Sequence, residues 1–393
     1  MVNLKLVRTF SRLPQPILTA YLNASPAGRA RRSLVPPYSI WLKTRGKRLA
    51  KTLAASEQDL FQGQMTRVQK FLNQHVPRQR GMLIFADPKT WELVPLPFEV
   101  KNELRWGKPA IAQLFWTLSE RKPYGAVVVD RSGARFFRYW LGEMAELDRE
   151  KFQIDISQWR KKDLGHFARI GIKKTRGSQR DTFEHRMDAQ YRRICRRIAG
   201  TVKDRMVSEQ LAATFLVGPD RLIQSIQQGV PQDLRRNTVL IDQSPVKASL
   251  ADLQQRLETG ITEWEARRAE ELVDSLFGKN PATVIGLDET LARLQRKQVR
   301  ALVVAEDSEA SMHRCATCAW TDHSADPLCS RCGGVWRTET LREILPELAQ
   351  IYEVDVEVVG GPTGERLKKA GGLAGRLRGS ETARFKEAAA SAM

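Results

Sequence analysis

The chain has 393 residues and a formal net charge of +19 at pH 7, with 64 lysines and arginines against 45 acidic residues. This charge points to a nucleic-acid partner rather than to an anionic membrane surface. A membrane-spanning helix needs about 20 apolar residues in a row, which no stretch approaches. The first residues lack the apolar core of a signal peptide. We therefore expect no membrane segment and a cytoplasmic location.

The length predicts two to four domains, and the first is assigned to residues 1–122. The segment 29–48 is strongly basic. Alternating and continuous apolar runs indicate strands, and apolar residues at helical spacing indicate helices. The predicted elements are a strand at 16–23, a helix at 45–75, strands at 81–86 and 91–96, and a helix at 109–120.

A middle domain is assigned to residues 123–207, and it ends on a long amphipathic helix. Strands are predicted at 124–130, 134–140 and 152–156, followed by a basic loop at 173–180 and a helix at 181–206. Apolar residues recur at helical spacing along that helix, so one of its faces should pack inward. They are Phe183, Met187, Tyr191, Ile194 and Ile198.

Basic side chains surround this feature and suit a phosphate-lined partner. Those predicted to bind RNA lie in the loop and off the apolar stripe of the helix. They are Lys173, Lys174, Arg176, Arg180, Arg186, Arg192, Arg193, Arg196 and Arg197.

The centre of the loop is Gly177-Ser178-Gln179. A glutamine amide does not titrate near neutral pH, but it can orient a water molecule, and its backbone N–H can face an oxyanion. Gly177 allows the backbone to enter a narrow cleft. Hydrolysis of an ester inside an RNA machine would need such a tip. The loop alone leaves open that it is a plain basic surface loop.

A C-terminal domain is assigned to residues 208–380, and residues 381–393 form an Ala-rich flexible tail. Helices alternate with strands here, which favours an α/β layer structure. Strands are predicted at 213–218, 238–242, 300–305 and 354–359, and helices at 250–277, 288–298 and 338–352.

Four of the five cysteines form two C-x-x-C pairs within residues 313–336, which predicts a zinc ribbon. They are Cys315, Cys318, Cys329 and Cys332. Four thiolates in two such turns match a tetrahedral structural Zn²⁺ site with no open ligand position. Paired cysteines of this kind also favour a reducing compartment over disulfides. Cys195 lies alone on the long helix and is expected to be a small core residue.

These stretches together resemble the class-1 peptide-chain release factors of archaea and eukaryotes. The closest likeness is to their bacterial release-factor-like ribosome rescue branch. In that family a strand–turn–strand like 124–134 precedes a Gly-Gly-Gln loop and a basic helix. A phrase like 285–291, a zinc-ribbon insertion and a glycine-rich ending like 371–377 follow. The resemblance implies an α/β (mixed α+β) fold with three release-factor-like domains and a zinc ribbon in the third.

The resemblance also implies hydrolysis of peptidyl-tRNA at the peptidyl-transferase centre of the large ribosomal subunit, with contacts to tRNA and rRNA. Gln179 would position water, while Gly177 and Ser178 would shape the tip. A translational GTPase is a candidate partner. The Asn-Ile-Lys-Ser phrase with which the family reads stop codons is missing, so release should not depend on the codon.

Ser178 departs from the family's second glycine and resembles the Gly-Ser-Gln loop of quality-control relatives. Some of those proteins cut the tRNA near its 3′ end. Two alternatives therefore remain open at this point. One is a tRNA 3′-end nuclease acting on peptidyl-tRNA, and the other is a non-catalytic ribosome- or tRNA-binding factor like Pelota.

Overall fold

A computed structural model describes residues 4–25, 36–75, 77–130, 132–152, 177–242, 250–278, 282–323 and 326–378. The chain divides into two compact units. The first combines Met1–Glu120 with Ala266–Met393, and the second is Arg121–Glu265. The described residues of the first unit form helices and three sheets, and those of the second form helices and one sheet, which confirms the expected α/β (mixed α+β) fold class.

The N-terminal part of the first unit is an antiparallel sheet covered by helices. Its strands are β1 (Ile17–Asn23), β2 (Gly81–Ala86), β3 (Trp91–Leu96) and β4 (Glu103–Gly107), in the order β3-β2-β1-β4. Its helices are α1 (Leu4–Ser11), α2 (Pro37–Ala50), α3 (Ala55–Gln74) and α4 (Ala112–Glu120). Alternate residues of β1 and β2, such as Leu18 and Ile84, form one core with α2 and α3.

The C-terminal part of the first unit holds a mixed sheet and the cysteine insert. The mixed sheet has the order β10-β16-β11-β15, and only β11 and β15 are parallel. Its elements are β10 (Thr283–Ile285), α9 (Leu287–Gln295), β11 (Val299–Ala305), α10 (Leu341–Ile351), β15 (Asp355–Val359), α11 (Gly361–Lys369) and β16 (Leu373–Leu377). A separate sheet ordered β13-β12-β14 contains β12 (Ser311–Cys315), β13 (Thr321–Asp322) and β14 (Trp336–Thr340).

The second unit is built on one sheet with the order β7-β6-β5-β8-β9. Its strands are β5 (Tyr124–Val129), β6 (Gly133–Trp140), β7 (Glu143–Lys151), β8 (Thr214–Gly218) and β9 (Thr238–Asp242). Its helices are α5 (Gly177–Ser208), α6 (Asp220–Gly229), α7 (Gln232–Arg235) and the first part of α8 (Leu250–Phe277). One apolar core includes α5 and α6, and a second one includes α8.

Several predicted elements differ from the structure. The single helix predicted at 45–75 is two helices, α2 and α3, separated at residues 51–54. The strand predicted at 152–156 lies outside the described residues beyond Phe152. The edge strand β7 was not predicted because its sequence, EMAELDREK, is mostly charged and both of its faces are largely exposed.

The three-domain division stays a prediction, and the sheet of the second unit crosses one of its boundaries. β8 and β9 lie beyond residue 208, yet β8 pairs in parallel with β5 and β9 pairs with β8. In the first unit, residues from both ends of the chain are in direct contact. Trp116 Nε1 donates to the carbonyl of Arg342 at 2.7 Å, and the Arg342 guanidinium pairs with Glu120 at 2.6 Å.

Candidate functional site

Helix α5 contains the predicted catalytic tripeptide in its first turn. The helix begins at Gly177, four residues earlier than predicted, so Gly177, Ser178 and Gln179 are helical rather than part of a loop. This corrects the predicted loop. The first N–H groups of an α-helix have no partner within the helix itself, which is why helix N-termini commonly bind anions. Lys173, Lys174 and Arg176 lie outside the described residues.

The second half of α5 is fixed to the sheet by a stripe of apolar side chains. Ile194, Ile198, Val202 and Met206 follow one another at intervals of four residues, and all are buried. Cys195 lies beside this stripe and is 4% exposed, as expected of a small core residue; its burial raises the pKa of its thiol. The predicted inward-facing stripe is confirmed for Ile194 and Ile198.

The tripeptide lies far along the helix from this packed stripe. Gly177 precedes Ile194 by 17 residues along one unbroken helix. At 1.5 Å per residue, that separation is about 26 Å. A helix fixed by its second half can therefore hold its first turn well away from the sheet.

The arginines of the exposed face of α5 differ in how they are paired. Arg192, Arg193, Arg196 and Arg197 are all exposed. Arg197 pairs with Glu150 on β7. Arg205, eight residues farther along the helix, pairs with Asp148 on the same strand at 3.3 Å. Among the described residues, no carboxylate pairs with the first three. Arg180 and Arg186 belong to the helix, but their side chains lie outside the described part.

Sequence reasoning missed the acidic residues of β7 that anchor α5. Asp148 and Glu150 alternate with basic residues in a strand that is not recognisable by its apolar pattern. The available signal was the acidic run itself, next to a strongly basic helix. Arg197 and Arg205 are thus paired with β7, whereas Arg192, Arg193 and Arg196 pair with no carboxylate among the described residues.

The four paired cysteines come together as predicted. Their Sγ atoms all lie within 4.8 Å of one another. Cys315 and Cys332 are 3.4 Å apart, and Cys318 and Cys329 are 3.6 Å apart. A tetrahedral site with Zn–S distances of about 2.3 Å places its sulfurs about 3.8 Å apart. The cluster could therefore hold a metal ion.

Both cysteine turns have the same backbone geometry. The N–H of Ala319 donates to the Cys315 carbonyl at 3.0 Å, and the N–H of Gly333 donates to the Cys329 carbonyl at 2.8 Å. Ala319 and Gly333 both have positive φ, 58° and 72°. Next to them, a Cβ on Gly334 would lie 2.8 Å from the Cys315 Sγ, so only glycine fits there. The two turns form a pre-shaped cage of sulfurs.

The electrostatics of the cage favour thiolate at one position. N–H groups of Cys318 and Thr317 each lie 3.4 Å from the Cys315 Sγ and lower the pKa of Cys315 to about 6. The Gly334 N–H has the same effect on Cys332, but the surrounding thiols outweigh it and raise the pKa of Cys332 to about 12. Soft sulfur donors in this arrangement fit Zn²⁺, because a bound cation removes the competition between neighbouring thiolates.

Residues 109–260 match the family model described as bacterial archaeo-eukaryotic release factor family 10. The matched segment contains the tripeptide, all of α5 and the sheet of the second unit. The resemblance to the release-factor superfamily is thereby confirmed for this segment. No curated protein matches the chain.

Solved structures that the chain matches include translation factors. Dom34 of S. cerevisiae, a translation termination-like factor, is 11% identical with a TM-score of 0.42, and the match covers 74% of each chain. Archaeal Pelota, in a model of ribosome-bound Pelota and ABCE1, is 14% identical with a TM-score of 0.39, over 96% of this chain and 94% of that one. The archaeal termination factor aRF1 is 15% identical with a TM-score of 0.24, over 95% and 96%.

A membrane span requires a helix that is both long and apolar. None of the helices in the described part of the chain meets both requirements.

Proposed function

We propose that this protein is a release-factor-like ribosome rescue protein that hydrolyses peptidyl-tRNA and frees nascent chains without reading a codon. One observation carries the proposal. Helix α5 lies inside the segment that matches the release-factor family and begins at Gly177-Ser178-Gln179. It also presents Arg192, Arg193 and Arg196 exposed and without carboxylate partners among the described residues.

The position of the tripeptide at a helix N-terminus supports chemistry on an ester. The free N–H groups of the first turn, together with the positive end of the helix dipole, favour an oxyanion. Gln179 would orient the attacking water, and Gly177 and Ser178 would let the turn approach the substrate. Removing one such contact typically lowers the rate about 100-fold or more.

Basic residues would hold the surrounding RNA. Lys173, Lys174, Arg176 and Arg180 flank the tripeptide in sequence, and the exposed arginines of α5 extend the same charge along the helix. Their partners would be phosphates of tRNA and of rRNA at the peptidyl-transferase centre. A translational GTPase is a candidate for delivering the protein, and the cytoplasm is the compartment that such a role requires.

A structural Zn²⁺ bound by the four cysteines completes the proposal. In this role the metal would stabilise the fold of the insert and would take no part in hydrolysis, because four sulfurs leave no open ligand position. Cys315 would supply the first thiolate, since its pKa is about 6.

The proposal is tested by incubating the purified protein with stalled ribosome–nascent-chain complexes and sequencing the 3′ end of the tRNA that leaves. Ester hydrolysis predicts an intact 3′ end together with a released peptide. A shortened 3′ end would instead identify a nuclease. Binding with neither product would identify a non-catalytic factor, so each alternative has its own outcome.

A further inference from the structure

Helix α2, in the first unit, has a row of lysines on the face that points to solvent. Lys43, Lys47 and Lys51, the last at the helix C-cap, are four residues apart and exposed. Four residues of α-helix advance about 6 Å and rotate about 40° past a full turn, so the three lysines form an inclined row along one side of the helix. Arg45 and Arg48 are exposed farther round the helix, both on the same side of this row. We call these five cations the α2 ladder.

Within the described part of the chain, no negative charge pairs with the ladder. Residues 37–56 contain no aspartate or glutamate, and among the described residues no carboxylate pairs with any of the five cations. Elsewhere in the first unit, basic side chains are commonly paired, as Arg314 is with Glu347 at 2.6 Å. Like charges four residues apart on a helix repel each other. The row therefore opposes the stability of its own helix.

The helix dipole explains only part of this row. Cations stabilise the C-terminal end of a helix, but the effect fades beyond the last turn. Lys47 and Arg48 are within the last turn. Lys43 is seven residues before the final residue, Ala50, and Arg45 is five residues before it. The helix dipole therefore does not account for the positions of these two cations.

The opposite face of α2 is fixed in the core. Tyr38 and Leu42 are buried, and Leu49 packs against the same cluster. Gly46 lies against α3 so closely that a Cβ there would come within 2.5 Å of the Met65 Cε. The ladder is therefore presented rigidly. It also means that the apolar face of α2 is already used, which excludes the insertion into a lipid surface that amphipathic helices make.

We propose that the α2 ladder binds the sugar-phosphate backbone of RNA, as a second RNA-binding surface separate from α5. It lies outside residues 109–260 and belongs to the other compact unit. Lysine ammonium groups act as point charges without the planar geometry that reads a base edge. The surface should therefore bind RNA of any sequence, and a factor with no codon-reading phrase needs contacts of this type.

The inference rests on the proposed function only in choosing RNA over other polyanions. It can fail or succeed separately from hydrolysis, because binding is measured on free RNA without any ester. To remove the first surface from the measurement, all proteins carry Arg192→Glu and Arg196→Glu. Release of nascent chains is not a readout in this experiment.

The test measures binding of labelled oligouridine by fluorescence anisotropy over a range of salt concentrations. The ladder variant is Lys43→Gln with Lys47→Gln. Its matched control is Lys70→Gln with Lys89→Gln, two exposed lysines of the same unit without carboxylate partners among the described residues. Losing two phosphate contacts should lower the slope of log K against log salt by about 1.4 on single strands. The control should leave the slope unchanged.

Two further arms separate the possible polyanions. Oligothymidine should lose binding in the ladder variant as oligouridine does, because both present the same phosphates. A loss on oligouridine alone would overturn the assignment to the backbone. Equal slopes for the ladder variant and its control, or binding that depends on the ladder only with phosphatidylserine vesicles, would overturn RNA binding. Thermal unfolding of both variants confirms that each is folded when its binding is measured.

Discussion

The cysteine insert and helix α5 both contain predicted functional residues, but the two sets of side chains differ in the partners that they find within the chain. In the insert, each sulfur has other sulfurs as neighbours, and all four Sγ atoms lie within 4.8 Å. On α5, one face packs into the apolar core of the second unit through Ile194, Ile198 and Val202. On the opposite face, Arg192, Arg193 and Arg196 find no carboxylate among the described residues.

This difference is what the proposed function predicts for a structural metal site and for a binding surface. The insert is complete once a single ion joins it, and no group is left over for a substrate. On α5, the exposed Arg192, Arg193 and Arg196 have no carboxylate partner in the part of the chain that the structure describes, and the proposed function assigns them to an external polyanion. Metal removal and changes on α5 should therefore have separate effects, and the following experiments are ordered by the size expected.

Removal of the metal should have the largest effect, and it should be confined to the insert. We expect close to one zinc per chain, a lower content in Cys315→Ser, and a loss of about 10 kcal/mol of folding free energy from the insert on chelation. Metal analysis and unfolding of the chelated protein measure this. Cys195→Ala removes the fifth cysteine and should keep the zinc. Protein purified without chelator and containing no zinc would contradict the assignment.

Gln179→Ala should lower nascent-chain release about 100-fold or more while ribosome binding stays nearly unchanged. A neutral amide adds little to a highly charged interface. Alanine also maintains the first turn of α5, because it is the strongest helix former. Single-turnover release and a binding assay on the same complexes measure the two effects. Gln190→Ala, on the same helix, should release chains normally.

Ser178→Gly is the companion variant, and we expect it to remain active. It restores the glycine of the release-factor loop and removes a hydroxyl that is a weak nucleophile without a neighbouring base. If Ser178→Gly were inactive and Gln179→Ala active, Ser178 rather than Gln179 would be the residue required for hydrolysis. The site would then be a serine site.

Charge reversal on α5 should weaken binding to tRNA and ribosomes to a similar extent for all RNA sequences. In Arg192→Glu with Arg196→Glu, two phosphate contacts are lost, so the slope of log K against log salt should fall by at least about 1.4 on single-stranded RNA. Arg221→Glu with Arg236→Glu, also exposed in the second unit, should change the slope little. A strict sequence preference in the wild type would contradict backbone binding.

The smallest expected effect is that of the A-site codon on the rate of nascent-chain release. Release from complexes with a sense codon, a stop codon or an empty A site should proceed at similar rates, since the chain lacks the codon-reading phrase of the family. Parallel release assays on the three complexes provide the measurement. A large preference for stop codons would show that the first unit reads codons through other residues.

Local spacing made part of this structure predictable. Two C-x-x-C turns position their sulfurs within a few residues, so the cage of Cys315, Cys318, Cys329 and Cys332 followed from sequence alone. The buried stripe of α5 followed for the same reason, because a period of 3.6 residues is a local property. The charge of +19 is a property of composition, and by itself it indicates a polyanionic partner.

Tertiary pairing decided the rest, because it joins residues that no local period connects. Strand β8 pairs with β5 across the whole of α5 and thereby carries the sheet past the predicted boundary at residue 208. Strand β7 was not recognisable as a strand, yet its Asp148 and Glu150 pair with Arg205 and Arg197, while Arg192, Arg193 and Arg196 pair with no described carboxylate. Sequence alone identified which residues of α5 are basic. Only the fold decided which of the described ones are paired, since that depends on acidic side chains about 50 residues away in the chain.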